Sequence, residues 1–106
     1  MESFRKTIMN GTHLLYFGAD WCKHSSSIKE ELQRLDPDTD VHLYDVDENR
    51  AEAAICGVST LPQIQIWENG RWAVSYYGRS ECNIAVIIYK HFSDDSVNSV
   101  ELIEEF

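Results

Sequence analysis

Between residues 13 and 46 a strand pattern, a helix pattern and a second strand pattern follow one another with almost no connecting chain. That succession leaves few folds open. His13-Leu14-Leu15-Tyr16-Phe17 is a short apolar and aromatic run bounded by Gly11 and Gly18, which suits a buried strand. From about Lys23 to Leu35 the period changes: Ile28, Leu32 and Leu35 recur at helical spacing, with Lys29, Glu30, Glu31 and Arg34 between them. Asp36-Pro37-Asp38 predicts the helix end. Val41-His42-Leu43-Tyr44-Asp45-Val46 alternates and predicts the second strand. A strand, a helix and a strand at this spacing predict a parallel pair with a right-handed crossover.

The rest of the chain extends that unit. Residues 48–56 form a short alanine-rich helical pattern closed by Gly57. Thr60-Leu61-Pro62 leads into a strand over residues 63–67. Asn69-Gly70 then predicts a hairpin to a partner strand over residues 72–77, with Trp67 and Trp72 expected to pack across it. Gly78 breaks that strand, and Ser80 is the expected cap of a last helix running from Glu81 to about Phe92. Phe4 and Ile8 give residues 2–9 the spacing of a short amphipathic helix. The fold class is α/β: a mixed central sheet of about four strands with helices on both faces.

The 106 residues suffice for one domain, expected over residues 1–92, with an acidic tail over residues 93–106. The net charge is −9, and the tail contributes Asp94, Asp95, Glu101, Glu104 and Glu105 with no Lys or Arg. Such a balance argues against nucleic-acid binding, which needs basic clusters. The longest apolar stretch, residues 84–89, is far short of a membrane span, and no secretory leader is visible. The expectation is a cytoplasmic monomer without a membrane partner. Three cysteines, Cys22, Cys56 and Cys82, are too few and too odd in number for a disulfide framework. His13, His24, His42 and His91 are scattered at spacings that predict no metal site. No glycine-rich phosphate loop offers a home to a flavin or nicotinamide, so no cofactor is expected.

Cys22 stands apart because Asp20-Trp21-Cys22-Lys23-His24-Ser25 lies where the first strand passes into the helix. The unpaired N–H groups and positive dipole end of a helix favour thiolate over thiol. Lys23 and His24 bring positive charge near the sulfur unless their side chains point away from it, and Trp21 offers a flat apolar shoulder to a substrate. From position alone Cys22 is either a reactive thiol or a buried structural one. Cys56 and Cys82 read as structural thiols, with partial exposure of Cys82, at the start of the last helix, left open as the alternative.

Phe17-Gly18-Ala19-Asp20-Trp21-Cys22 resembles the strand-to-active-site segment of the thioredoxin superfamily, whose pattern is Ala-x-Trp-Cys-x-x-Cys after an aromatic strand. Asp45-Val46-Asp47-Glu48-Asn49, Gly57-Val58-Ser59-Thr60-Leu61-Pro62, Glu68-Asn69-Gly70 and Gly78 resemble further motifs of that superfamily in the same order, from about residue 13 to residue 92. The resemblance implies a thioredoxin-like fold without its usual first strand. It implies that Cys22 is the cysteine that attacks a disulfide and that Ser25 stands where the second, resolving cysteine would be. By register Tyr16 occupies the place of a buried acid that often assists the second cysteine, and Leu43 that of a nearby lysine. His24 also matches the Cys-Gly-His-Cys pattern of the protein disulfide isomerase group.

The resemblance further implies a cis Leu61–Pro62 bond facing the cysteine. Thr60, Leu61, Pro62, Gly78 and Trp21, with Lys23 and His24, would then border a groove that holds an extended substrate segment. Three readings of Ser25 stand side by side: a native monothiol enzyme, a Cys-to-Ser trapping variant of a dithiol enzyme, and a non-catalytic partner-binding module. Loss of the relay residues together with the second cysteine favours a native serine. The expected activity is thiol–disulfide exchange through Cys22, supported by Ser25. Its expected partners are protein disulfides or glutathione-mixed disulfides, with an external thiol for release.

Overall fold

The run 12–18 forms the strand on which the molecule closes. The computed structural model describes residues 2–35 and 39–92. In order they form α1 (Glu2–Thr7), β1 (Thr12–Gly18), α2 (Lys23–Gln33), β2 (Val41–Asp45), α3 (Arg50–Ile55), β3 (Gln63–Glu68), β4 (Arg71–Tyr77), α4 (Gly78–Glu81) and α5 (Ile84–Phe92). The sheet order is β2-β1-β3-β4. β1 runs parallel to β2 and antiparallel to β3, and β3 pairs antiparallel with β4. This is the mixed four-stranded sheet expected from the sequence, with a core on each face.

Strand alternation assigns the two cores. Leu14 and Tyr16 of β1 and Ile64 and Ile66 of β3 share one face with Ile28 and Leu32 of α2 and Ile84 and Ile87 of α5. Leu15 and Phe17 turn to the other face, where Phe4 and Ile8 close over them and Ala53 of α3 packs beside. Phe17 also stacks on Tyr44 of β2, ring centroids 5.3 Å apart.

Asn69 and Gly70 take φ of 53° and 83°, the left-handed pair that a two-residue hairpin turn requires. Asn69 N–H donates to the Gly11 carbonyl and Gly11 N–H to Asn69 Oδ1, both at 2.9 Å, which ties the hairpin to the entrance of β1. Trp67 and Trp72 are paired in register, after a bulge that leaves Ala73 unpaired.

The structure departs from expectation in several places. β2 shows no alternation in burial, every residue being half-buried, because it is the edge strand. α3 starts later than expected, since Glu48 and Asn49 N–H both donate to the Asp45 carbonyl and Asn49 Oδ1 accepts from Asp45 N–H, which turns the chain first. Ser80 does not cap a single last helix. It lies inside α4, the chain breaks at Cys82, and Asn83 Oδ1 accepts from Val86 N–H at 3.2 Å to cap α5. Cys82 is a core residue, 4% exposed, in keeping with the structural reading and against the partly exposed alternative.

The histidines are also less scattered than their numbering suggests, because strand pairing sets His13 Nδ1 3.0 Å from His42 Nε2. Residues 36–38 and the acidic segment 93–106 lie outside the described residues. No helix among the described residues is long and apolar enough to cross a membrane.

The capping assignment predicts that Asn83→Ala costs about 1 kcal/mol of stability. Ser80→Ala should stay within about 0.5 kcal/mol of the parent. Denaturant unfolding of the two variants distinguishes this arrangement from one capped by Ser80.

Candidate active site

β1 ends at Gly18, and a turn closed by Cys22 N–H donating to the Ala19 carbonyl at 3.0 Å delivers the chain to α2. Cys22 is the N-cap of α2, with extended backbone angles of −100° and 113°. Its thiol is half-exposed and unpaired in any disulfide. The cap position sets the sulfur over the first turn, where helix N–H groups lack partners.

The Cys22 pKa lies below the ordinary cysteine value. The Ser25 hydroxyl is the largest cause, partial burial opposes it, and the backbone N–H groups of Ser25 and His24 add to the lowering. Lys23 and His24 are both exposed. The causes of the shift include neither of their side-chain charges, so His24 acts through its backbone alone.

Ser25 is 1% exposed. Its Oγ makes no hydrogen bond of ordinary length and angle in this structure, although it dominates the Cys22 shift. The two observations fit a hydroxyl near the sulfur that completes its bond when the sulfur ionises and becomes a strong acceptor. Tyr16 and Leu43 are paired in register directly behind this turn. Both of these relay positions therefore hold residues without a carboxylate or an amine.

Trp21 is 69% exposed, and its indole N–H donates to Asp47 Oδ2 at 2.9 Å, which holds the ring in place at the rim. Trp21, Cys22 and Leu61 border one hollow of about 340 Å³. Four residues not singled out from the sequence complete it: Val46, Ala53, Val58 and Ser59. Val46, Val58 and Ser59 belong to motif segments whose order and spacing were legible. Their facing into the hollow depends on the turn after β2 and on the loop after α3, which spacing does not reveal. Ala53 carried no signal beyond its helical position.

The Leu61–Pro62 bond is cis. Pro62 is buried, and its carbonyl accepts from Gly78 N–H at 2.8 Å, so Gly78 is joined to the proline loop from behind. Thr60 is exposed on that loop. Thr60, Pro62, Gly78, Lys23 and His24 do not border the hollow itself.

The other thiols differ from Cys22. Burial, then Glu52, pushes Cys56 up to about 11. Burial, then Glu81, pushes Cys82 up to about 11, and its Sγ donates to the Tyr76 carbonyl at 3.5 Å. Among the described residues no group of three or more His, Cys, Asp and Glu could hold a metal ion.

A low-pKa cysteine capping a helix, with a tryptophan before it and a cis-proline loop beside it, invites comparison with known proteins. The Thioredoxin family model matches residues 1–90. This chain belongs to the thioredoxin family. It is 31% identical over 95 residues to the thioredoxin of Staphylococcus saprophyticus, covering 85% of this chain and 91% of that one. Identity to the thioredoxin of Staphylococcus haemolyticus is 30% with the same coverage. The fold matches the X-ray structure of Fasciola hepatica thioredoxin with a TM-score of 0.72 at 22% identity, over 85% of this chain and 89% of that one. It matches the solution structure of oxidised Plasmodium falciparum thioredoxin equally well, at 21% identity over 88% and 93% of the two chains. The chain is thus a thioredoxin-like member of a thiol–disulfide oxidoreductase family.

Alkylation at neutral pH should mark Cys22 well before Cys56 or Cys82, because only Cys22 has its thiolate favoured. Its rate should rise with pH with a midpoint below the ordinary cysteine pKa, while the half-buried Cys56 labels slowly and the buried Cys82 labels only on unfolding. Peptide mass mapping of a pH series checks both points.

Proposed function

We propose that the protein is a monothiol thioredoxin-like oxidoreductase that exchanges disulfides through Cys22 alone. The observation that carries this reading is a thiol of lowered pKa at the N-cap of α2 with a serine, not a second thiol, one turn on. In the first step the Cys22 thiolate attacks one sulfur of a substrate disulfide. The substrate S–S bond breaks, a Cys22–substrate disulfide forms, and the other sulfur leaves as a thiolate that takes up a proton. In the second step the thiolate of an external thiol attacks the substrate sulfur of that mixed disulfide. Cys22 is regenerated as thiolate, the external sulfur is left joined to the substrate sulfur in a new disulfide, and the exchange consumes one disulfide for each one it forms.

Ser25 supports the thiolate at both ends of the cycle and cannot itself resolve the intermediate. Such a cycle suits isomerisation or removal of glutathione from mixed disulfides better than rapid reduction of protein disulfides. It also suits a thiol-rich compartment such as the cytoplasm and needs only a monomer.

The substrate segment in this reading lies extended along the hollow, its backbone meeting the proline loop at Thr60-Leu61-Pro62 and its apolar side chains meeting Trp21, Val58 and Leu61. Lys23, His24 and Gly78 stand around that path.

A glutathione-coupled assay on a glutathione-mixed disulfide should show turnover that Cys22→Ala abolishes, while insulin reduction stays weak. Unchanged turnover in Cys22→Ala, or a Cys22 as slow to alkylate as Cys56, would place the chain among non-catalytic binding modules. Pro62→Ala should weaken capture of a protein disulfide several-fold more than it slows alkylation of Cys22 by a small reagent. Equal effects on both would remove the groove from the account.

A further inference from the structure

Tyr16 stands directly behind the active-site turn. It is 3% exposed, and its phenol O–H donates to the Ser25 carbonyl at 2.8 Å in a buried setting. Burial, the largest influence, raises the phenol's pKa and outweighs the opposing effect of the Ser25 hydroxyl beside it, so the group remains a donor at neutral pH. Gly18 lies two residues on along the same strand. A Cβ there would overlap the Tyr16 hydroxyl and ring and come within 2.9 Å of the Ser25 Cβ. Gly18 is not among the glycines with positive φ, so glycine is required there for space and not for backbone conformation. The Tyr16 ring therefore occupies room that only a glycine leaves open, and it closes over the base of Ser25.

The consequence falls on the Ser25 hydroxyl. Oγ is shut from solvent and has no hydrogen-bond partner in this structure. A buried, unpartnered hydroxyl is unfavourable and usually finds an acceptor or a water. Ser25 borders a cavity of about 140 Å³ together with Tyr16, Lys29, Asp45 and Asn49, yet its Oγ has less than 1 Å² of accessible surface.

We propose that Tyr16 is a positioning residue acting through Ser25: seated over Gly18, its ring shuts the Ser25 hydroxyl from water, and its own hydroxyl is engaged by the Ser25 backbone carbonyl, so that Oγ is held in reserve for the ionised Cys22 sulfur. The proposal rests on the monothiol reading, in which Ser25 supports the thiolate. It gives the place of the buried acid a different task. No second thiol needs deprotonating, and the space behind the turn is used to dedicate a hydroxyl to the first.

The test is the pH midpoint of Cys22 alkylation by iodoacetamide, followed on the Cys22 peptide. It is measured for the parent, Tyr16→Phe, Tyr16→Ala, Gly18→Ala, Ser25→Ala and the double variant Tyr16→Ala/Ser25→Ala. Ser25→Ala should raise the midpoint by about one unit. Tyr16→Ala and Gly18→Ala should move it most of the way to that value, Tyr16→Phe part of the way, and Tyr16→Ala should add nothing once Ser25 is alanine. A purely structural role would lower thermal stability without moving the midpoint. If Tyr16→Ala or Gly18→Ala fails to fold, Tyr16→Phe with and without Ser25→Ala carries the same comparison.

A parent midpoint retained in the Tyr16 and Gly18 variants while Ser25→Ala shifts it overturns the role of Tyr16 and leaves the monothiol reading standing. Equal shifts from Tyr16→Ala with and without Ser25 also overturn it. A midpoint unmoved by Ser25→Ala overturns both the proposal and the support assigned to Ser25.

Discussion

β1 presents apolar side chains to both faces of the sheet, so two separate cores close on a single strand. Leu14 and Tyr16 hold α2 and α5 on one side, and Leu15 and Phe17 hold α1 and α3 on the other. Slippage of this strand by one residue would exchange the two sets and break both cores. That constraint fixes where β1 ends, and the end of β1 fixes the turn that places Cys22 at the cap of α2. The same face alternation carries Tyr16 beneath Ser25. The site thus inherits its geometry from the most deeply buried strand of the molecule.

The chemistry at Cys22 follows from short-range groups. The shift toward thiolate arises within one helical turn, from the Ser25 hydroxyl and the backbone N–H groups of Ser25 and His24. A modest lowering serves exchange better than an extreme one, because intrinsic nucleophilicity falls as pKa falls and the best attacking thiol has a pKa near the ambient pH. Cys56 and Cys82, each pushed up to about 11, are poor competitors for the same disulfide. In the proposed cycle redox chemistry is concentrated on one sulfur by environment as much as by sequence position.

Much of this architecture was legible before any coordinates. The strand run at 13–17, the helical recurrence of Ile28 and Leu32 and the Asn69-Gly70 turn all appear where local pattern and tertiary burial agree. Expectation and structure part where local signals compete. Ser80 and Asn83 are both strong caps, and the burial of Cys82 between them decides in favour of Asn83. Cys22, Ser25, Trp21 and the proline loop were legible as a motif. The inward faces of Val46, Ala53 and Val58 were not, because they depend on loop geometry. Of the two orientations the sequence left open for Lys23 and His24, neither could be chosen without the structure, since adjacency to Cys22 says nothing about where an exposed side chain goes. The pairing of His13 with His42 required the parallel register that only the sheet supplies.

The central claim is that Cys22 works without a resolving partner in its own chain. Intact-mass spectrometry after mixing the reduced protein with glutathione disulfide, in the absence of free thiol, tests it most directly. The account predicts one glutathione adduct, located on Cys22, that persists after excess disulfide is removed and disappears when an external thiol is added. Spontaneous loss of that adduct with formation of an intramolecular disulfide to Cys56 or Cys82, or an adduct on either of those residues in place of Cys22, would contradict it.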